Sequence, residues 1–298
     1  MKVYLSNGPS FVKDIKMIGS ILKLRTLSCF LLLLSNLSCI KGVEEPTFRY
    51  VTAYNKEGQL MRTEDIEKTS VNVLKPIIFI INGLDKGAAK SDAWYKDLME
   101  EYLERQVHNV FLVDWKFDSK SHASNQTQST GFFVGEFIRV IFNKTGESYL
   151  DIHLVGVLAG SRVAAVAGKR VLELTGRKVN RITALDPTYY LINDENAKID
   201  IGDANFVDVV HSDLSKFGKF PEEGHVRFYL DDEECRKDFT ELIATKLFAS
   251  SINSDKFKGV KCGSVEDFKK GKCEKNESVV FGENVDKSAR GDYFVAVC

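Results

Sequence analysis

Asp151-Ile-His-Leu-Val-Gly156-Val-Leu158-Ala-Gly160-Ser-Arg-Val-Ala-Ala-Val-Ala-Gly168 is the stretch on which the reading of this 298-residue chain turns. Ile152-His-Leu-Val155 reads as a strand. The small residues after it predict a tight turn into a helix that reaches about Leu174. Glycines at 156 and 160 flank one central position, 158, at the spacing of G-x-S-x-G. In that motif the central residue sits on a strained strand-to-helix turn between small neighbours. The turn holds a hydroxyl over the positive end of the helix. Here the presented residue is Leu158. A leucine side chain has no lone pair with which to attack a carbonyl.

The flanking sequence has the same rhythm. Upstream, Pro76 introduces Ile77-Ile-Phe-Ile-Ile81, a continuous run of the kind buried on both faces of a sheet, and it stops at Asn82-Gly83. Helical spacing follows from Asp92 to Val107, then a strand at Val110-Phe-Leu-Val113. A Ser/Asn/Gln-rich loop is expected next, with a helix from Gly131 to Phe142. Further strands are expected at Ile182-Thr-Ala-Leu185 and Phe206-Val-Asp-Val-Val210. Strands alternating with helices predict an α/β fold, a mostly parallel central sheet with helices on both faces. Residues 46–75 read as strands and turns at a sheet edge, and the Lys- and Cys-rich end as a small disulfide-pinned extension. No internal repeat or Pro/Gly-rich linker divides residues 43–298, which are read as a single domain.

With 41 basic and 42 acidic residues the net charge is −1, which argues against a nucleic-acid partner. The histidines are scattered and no Gly-rich phosphate loop occurs, so neither a metal nor a cofactor is expected. Lys23 and Arg25 precede Leu27-Ser-Cys-Phe-Leu-Leu-Leu-Leu34, an apolar core too short to span a bilayer. Residues 1–42 therefore read as an upstream extension and signal peptide, with the cleavage point open among Ser35, Ser38 and Gly42. No other stretch suggests a transmembrane segment, and the expected location is extracellular. Cys235, Cys262, Cys273 and Cys298 form an even set with three possible pairings, Cys262 with Cys273 closing a short loop. Asn125-Gln-Thr127, Asn143-Lys-Thr145 and Asn276-Glu-Ser278 fit the N-glycosylation pattern.

Val113-Asp-Trp115, His153-Leu-Val-Gly156, Ile182-Thr-Ala-Leu-Asp186-Pro187, Asn205-Phe-Val-Asp-Val-Val-His211-Ser-Asp213, Gly224-His225 and Phe248-Ala-Ser-Ser-Ile252 occur in an order that resembles the pancreatic (neutral) lipase family. That family includes insect lipases, venom phospholipases A1 and catalytically silent insect yolk proteins. The resemblance covers roughly residues 77–298 and implies an α/β-hydrolase fold, with no carboxyl-terminal β-sandwich expected. It also implies a triad of Ser, Asp and His in chain order. The aspartate falls on Asp186, the serine on Leu158 and, counting back from Phe248, the histidine on Glu241. Of the five histidines, His153, His211 and His225 match non-catalytic positions, while His108 ends a helix and His122 lies in the polar loop. The family's His-Gly beside the oxyanion hole is Asn82-Gly83 here, with the backbone N–H groups of Leu84 and Ala159 still able to form the hole.

Ser161 lies almost a turn into the helix and faces elsewhere. Glu241 also reads as a solvated helix residue, and Asp186 as a turn or cap residue before Pro187. The expectation is a secreted protein on a lipase scaffold, without ester hydrolase activity. Its role would be to bind a lipid or other apolar ligand around Asn82, Gly83, Leu84, Leu158 and Ala159, or to serve storage or extracellular interaction. The alternative is an active lipase or phospholipase A1 with a rebuilt site.

Overall fold

A computed structural model describes residues 45–68, 71–72, 74–83, 93–105, 109–115, 123–145, 151–188, 196–216, 224–231 and 243–297. Glu44–Cys298 forms one compact unit, and the export segment expected at 1–42 lies outside the described residues. The order is β1 (Thr47–Thr52), β2 (Asn55–Met61), β3 (Ile77–Ile81), α1 (Ala93–Glu104), β4 (Asn109–Asp114), α2 (Ala123–Thr145), β5 (Ile152–Val157), α3 (Ala159–Thr175), β6 (Val179–Leu185) and β7 (Ala204–His211). It continues with β8 (Val226–Asp231), α4 (Ile243–Ile252), β9 (Lys258–Lys261), α5 (Val265–Lys269), β10 (Ser278–Val280) and β11 (Gly291–Ala296).

The strands form an 11-stranded sheet in the order β10-β9-β11-β8-β7-β6-β5-β3-β4-β1-β2. From β4 through β3, β5, β6, β7 and β8 to β11 every neighbouring pair is parallel. The β1–β2 hairpin, expected at a sheet edge, is there. All five residues of β3 are buried. Ile77, Phe79 and Ile81 join the apolar cluster built with α2 and α3, whereas Ile78 and Ile80 join the one built with α1 and α4. One strand thus feeds two cores, which is why it reads as unbroken hydrophobe rather than as an alternation. Each face of the sheet carries helices. From β3 the chain crosses outward to β4 and then returns to β5 on the other side of β3. The carboxyl ends of β3 and β5 therefore flank a switch point, where open α/β sheets place their crevice.

Two expectations are corrected. The segment 123–130, expected as a polar loop, forms the first turns of α2. Thr127 and Ser129 are wholly buried, and the Thr127 hydroxyl donates to the Ala123 carbonyl at 2.8 Å. Hydroxyls that bond back into their own helix remove the cost of burial, so tertiary packing overrides a loop-like composition. The carboxyl-terminal third is not an extension either: β9, β10 and β11 continue the main sheet, and β11 pairs parallel with β8 over six residues. Aromatic residues do this work, Tyr293 and Phe294 being fully buried on opposite faces.

What ties β11's approach to the sheet is a buried polar network at the amino-terminal ends of the parallel strands. Arg181 of β6 grips Asp208 of β7 through two bonds of 2.8 Å and donates to the carbonyls of Gly282 and Glu283 at 2.9 and 2.7 Å. Thr183 donates to Asp208 at 2.8 Å, leaving a lone pair for His153 Nε2 at 2.7 Å. The Glu283 carboxylate lies 3.5 Å from His153 Nδ1 and accepts from the Tyr102 hydroxyl at 2.8 Å. Burial alone would raise the Glu283 pKa, but His153, Arg181 and the Tyr102 bond hold it down at about 2. A carboxyl depressed from 4.5 in this way stabilises the fold above pH 4.5, and that contribution is lost as pH falls toward 2. Glu283→Gln is expected to cost about 2 kcal/mol at neutral pH by removing the charged acceptor that the Arg181 guanidinium and the Tyr102 hydroxyl share. In thermal melts between pH 5 and 3, the variant's stability should fall less steeply than that of the wild type.

Cys262 and Cys273 are joined by a disulfide with a Cα–Cα distance of 5.6 Å, whereas Cys235 and Cys298 lie outside the described residues. Both bonded cysteines are buried against Tyr229 and Phe294. Replacing the pair by serine is expected to cost about 3 kcal/mol from loop entropy. Urea titration of the double variant checks this.

Candidate functional site

The carboxyl ends of β3, β5 and β6 are brought level by their register. Ile81 pairs with Gly156, and Val157 with Leu185. Asn82-Gly83, Leu158 and Asp186 therefore arrive at one edge of the sheet. Leu158 adopts φ 52°, ψ −118°, between β5 and the first residue of α3. This is a backbone conformation that costs a non-glycine residue of order 1–3 kcal/mol. Its amide donates to the Leu185 carbonyl at 2.9 Å, and its own carbonyl accepts from Ser161 N at 3.1 Å. The leucine side chain is half-buried and packs against the same apolar cluster as α1 and α4.

The turn is forced by backbone packing. A Cβ on Gly83 would stand 2.1 Å from the Val157 carbonyl oxygen and 2.2 Å from Gly160 N; one on Gly160 would stand 2.1 Å from the Ile81 carbonyl oxygen. On Gly156 it would meet Ser161 Cα at 2.4 Å. Only glycine lets the end of β3 lie directly on the first turn of α3. Asn82 is buried, its amide donating to Val113 O at 3.2 Å while its carbonyl accepts from the Trp115 indole N–H.

Asp186 is also held at positive φ, 45°. Its amide donates to Val210 O at 2.9 Å, and its Oδ1 accepts from Ser212 N at 2.7 Å. The carboxylate so fastens the turn after β6 to the end of β7. Ser161 is fully buried, and its hydroxyl donates to Gly156 O at 2.8 Å. It faces the strand, as its place in the helix implied. Leu84 and Glu241 lie outside the described residues, as do His108 and His122.

The remaining histidines are spent on structure. His153 sits in the network below the sheet, His211 stacks on Tyr229, and His225 Nδ1 accepts from Val207 N at 3.0 Å. Burial, with Arg290 and Lys178 nearby, lowers the His225 pKa. Among the described residues no group of three His, Cys, Asp or Glu could hold a metal ion, and no helix is long and apolar enough to cross a membrane. A cavity of about 70 Å³, lined by Ile78, Asp151, His153, Arg181, Glu283 and Lys287 among others, opens at the opposite end of the strands. Sequence reasoning missed that polar cluster. Its signal was present: Arg181 and Asp208 are charges inside otherwise apolar strands, where only pairing makes burial tolerable.

A mostly parallel sheet with helices on both faces and a strained turn after β5 at the switch point is the α/β-hydrolase fold. The chain belongs to the pancreatic lipase family: the family profile described as Lipase matches residues 44–232. Lipase member H of Rattus norvegicus is 31% identical over 224 residues, covering 68% of this chain and 48% of that protein. Inactive pancreatic lipase-related protein 1 of Mus musculus is 29% identical over 252 residues, covering 72% and 52%. The chain thus spans about half the length of the curated relatives it matches. Among solved structures, an alpha/beta hydrolase enzyme from a Medee basin deep-sea metagenome library aligns at 14% identity and TM-score 0.34, over 58% of this chain and 66% of that one.

The strained turn generates an inverted glycine effect. Gly is ordinarily less stable than Ala by about 0.5–1 kcal/mol. At φ 52° the order should reverse, since glycine relieves the strain that alanine keeps. Leu158→Gly is expected to be at least about 1 kcal/mol more stable than Leu158→Ala. Denaturant midpoints of the two variants check it.

Proposed function

We propose that this chain is a secreted lipase-fold protein that does not hydrolyse esters and instead holds a lipid or similar apolar ligand. The observation that carries this reading is Leu158 on the strained turn between β5 and α3. Ester cleavage on this scaffold needs an oxygen nucleophile at that point and an imidazole to take its proton. The turn offers a hydrocarbon, and the nearest helical hydroxyl, Ser161, is already committed to Gly156 O. Asp186, the triad position that keeps its residue, serves the β7 turn through Ser212 N. On this reading Glu241 stands in the histidine's place. A relative named as inactive supports the view that the family contains members without turnover.

Apolar ligands fit the substitution. Each buried methylene contributes about 0.8 kcal/mol, so an acyl chain of about ten methylenes gains about 8 kcal/mol before the cost of association. Leucine in place of serine extends the apolar wall and removes the group that would have cleaved the chain. A storage or extracellular scaffold role would use the same inert fold with an empty cleft.

Purified protein is expected to show no turnover of a short-chain nitrophenyl ester and no labelling by a serine-directed phosphonate. Lipid extraction with mass spectrometry should recover a ligand near one per chain. An empty extract would favour the scaffold role. Turnover abolished by the phosphonate would establish an active lipase or phospholipase A1 and end this proposal. Installing both missing groups, Leu158→Ser with Glu241→His, should raise esterase activity about 100-fold or more over Leu158→Ser alone, the usual contribution of a general base.

A further inference from the structure

We infer that Asn276 carries an N-linked glycan and that this glycan shields the open sheet edge formed by β10. The inference rests on the export reading above, because the modification occurs only on chains entering the secretory route. Of the three matching triplets, Asn125 and Asn143 both lie within α2. Asn276 lies in the turn that leads into β10, and it is exposed. Transfer requires the chain to bend so that the hydroxyl of the third residue approaches the asparagine amide, which is why such acceptors sit in surface loops. Asn276 closes the exposed turn at 270–276, and the third-residue hydroxyl belongs to Ser278, the first residue of β10. The turn is anchored by the Cys262–Cys273 disulfide, by Asn276 N donating to Cys273 O at 2.9 Å, and by Nδ2 donating to Lys261 O at 2.9 Å. Nδ2 has a second hydrogen to exchange. In the transfer, the amide nitrogen bonds to the anomeric carbon of a lipid-diphosphate-linked oligosaccharide. The bond from that carbon to the diphosphate breaks, the diphosphate leaves with the electron pair, and the nitrogen's proton passes to a base.

The sheet edges explain what the sugar does there. The sheet ends in β2 on one side and β10 on the other. Natural edges are guarded by short strands, charges or irregular pairing. β2 has the last two: exposed Lys56 and Glu57, Gly58 at φ 75°, and a shifted register opposite Tyr50 and Thr52. β10, Ser278-Val-Val280, has neither charge nor irregularity and is guarded by its shortness alone, with its two valines half-buried. The flanking Glu277 is neutralised by Lys261 at 3.0 Å and accepts from the Tyr293 hydroxyl at 2.7 Å. A hydrophilic branch two residues before the strand adds the polar guard that its own side chains lack.

The test is secretion from cultured animal cells, with peptide mapping after peptide N-glycosidase in heavy-oxygen water and sedimentation velocity on the intact protein. The Asn276 peptide should carry the heavy aspartate mark. Asn276→Gln and Ser278→Ala should each lose one glycan mass and tighten self-association by about tenfold or more, while Asn125→Gln and Asn143→Gln leave association unchanged. Ser278→Ala retains the Asn276 bond to Lys261, so a shared effect tracks the sugar. Secreted protein bare at Asn276 would overturn the inference and leave export standing. A glycan at Asn276 whose loss leaves both variants monomeric would overturn its role at the edge. Protein found only in the cytosol would remove the export reading itself.

Discussion

Two backbones touch where β3 ends and α3 begins, and this contact sets the geometry of everything at the crevice. Gly83 lies against the amides of Ala159 and Gly160, and Gly160 lies against the carbonyl of Ile81. No side chain fits between them. The distance from β3 to the first turn of α3 is thereby fixed by main-chain atoms alone, and Gly156 completes the constraint from within β5. Residue 158 is left with no choice of conformation. It is held at φ 52° between a strand and a helix that are packed backbone to backbone against β3 and each other. The strain is imposed by packing around the residue and is indifferent to what its side chain does.

That rigidity depends on the sheet's being filled from both faces. Alternate residues of β3 enter different cores, so neither face can shift without disturbing the other. The Arg181–Asp208–Glu283 network then fastens the segment before β11 to β6 and β7 at the far ends of the same strands. One guanidinium bridges two carboxylates, and each carboxylate has more than one donor, which is what makes such a cluster tolerable in an apolar interior. The candidate site at one end of the strands and the polar anchorage at the other share the sheet but no side chains.

The parts of this arrangement that were legible in the sequence are those where local pattern and tertiary role coincide. Ile77–Ile81 is apolar throughout because it is buried throughout, Ile152–Val155 is broken only by the networked His153, and the glycine spacing about Leu158 is the elbow itself. Where a tertiary partner supplies the missing half, the pattern misleads. Residues 123–130 look like a loop, because their hydroxyls reveal nothing of the partners they find inside α2. The strands after 226 are short, and Arg227 interrupts β8 in pattern only, its charge being met by Asp292 on β11 at 2.6 Å. No periodicity within β8 could announce a neighbour 65 positions later. The identity of the residue at the elbow, by contrast, needed no structure to be read, because the leucine at 158 is printed in the sequence.

A preserved elbow is therefore poor grounds for inferring catalysis. If the strained turn existed only to serve a nucleophile, a turn that presents a leucine would be expected to relax, since relaxation would recover about 1–3 kcal/mol. Relaxation would require moving Gly83 off Gly160, and that would separate β3 from α3 at the centre of the larger apolar cluster. The fold thus holds the turn for reasons of its own. Family membership and backbone geometry together define a place where a reaction could be run. Whether one is run depends on the atoms placed there, and at position 158 those atoms are hydrocarbon.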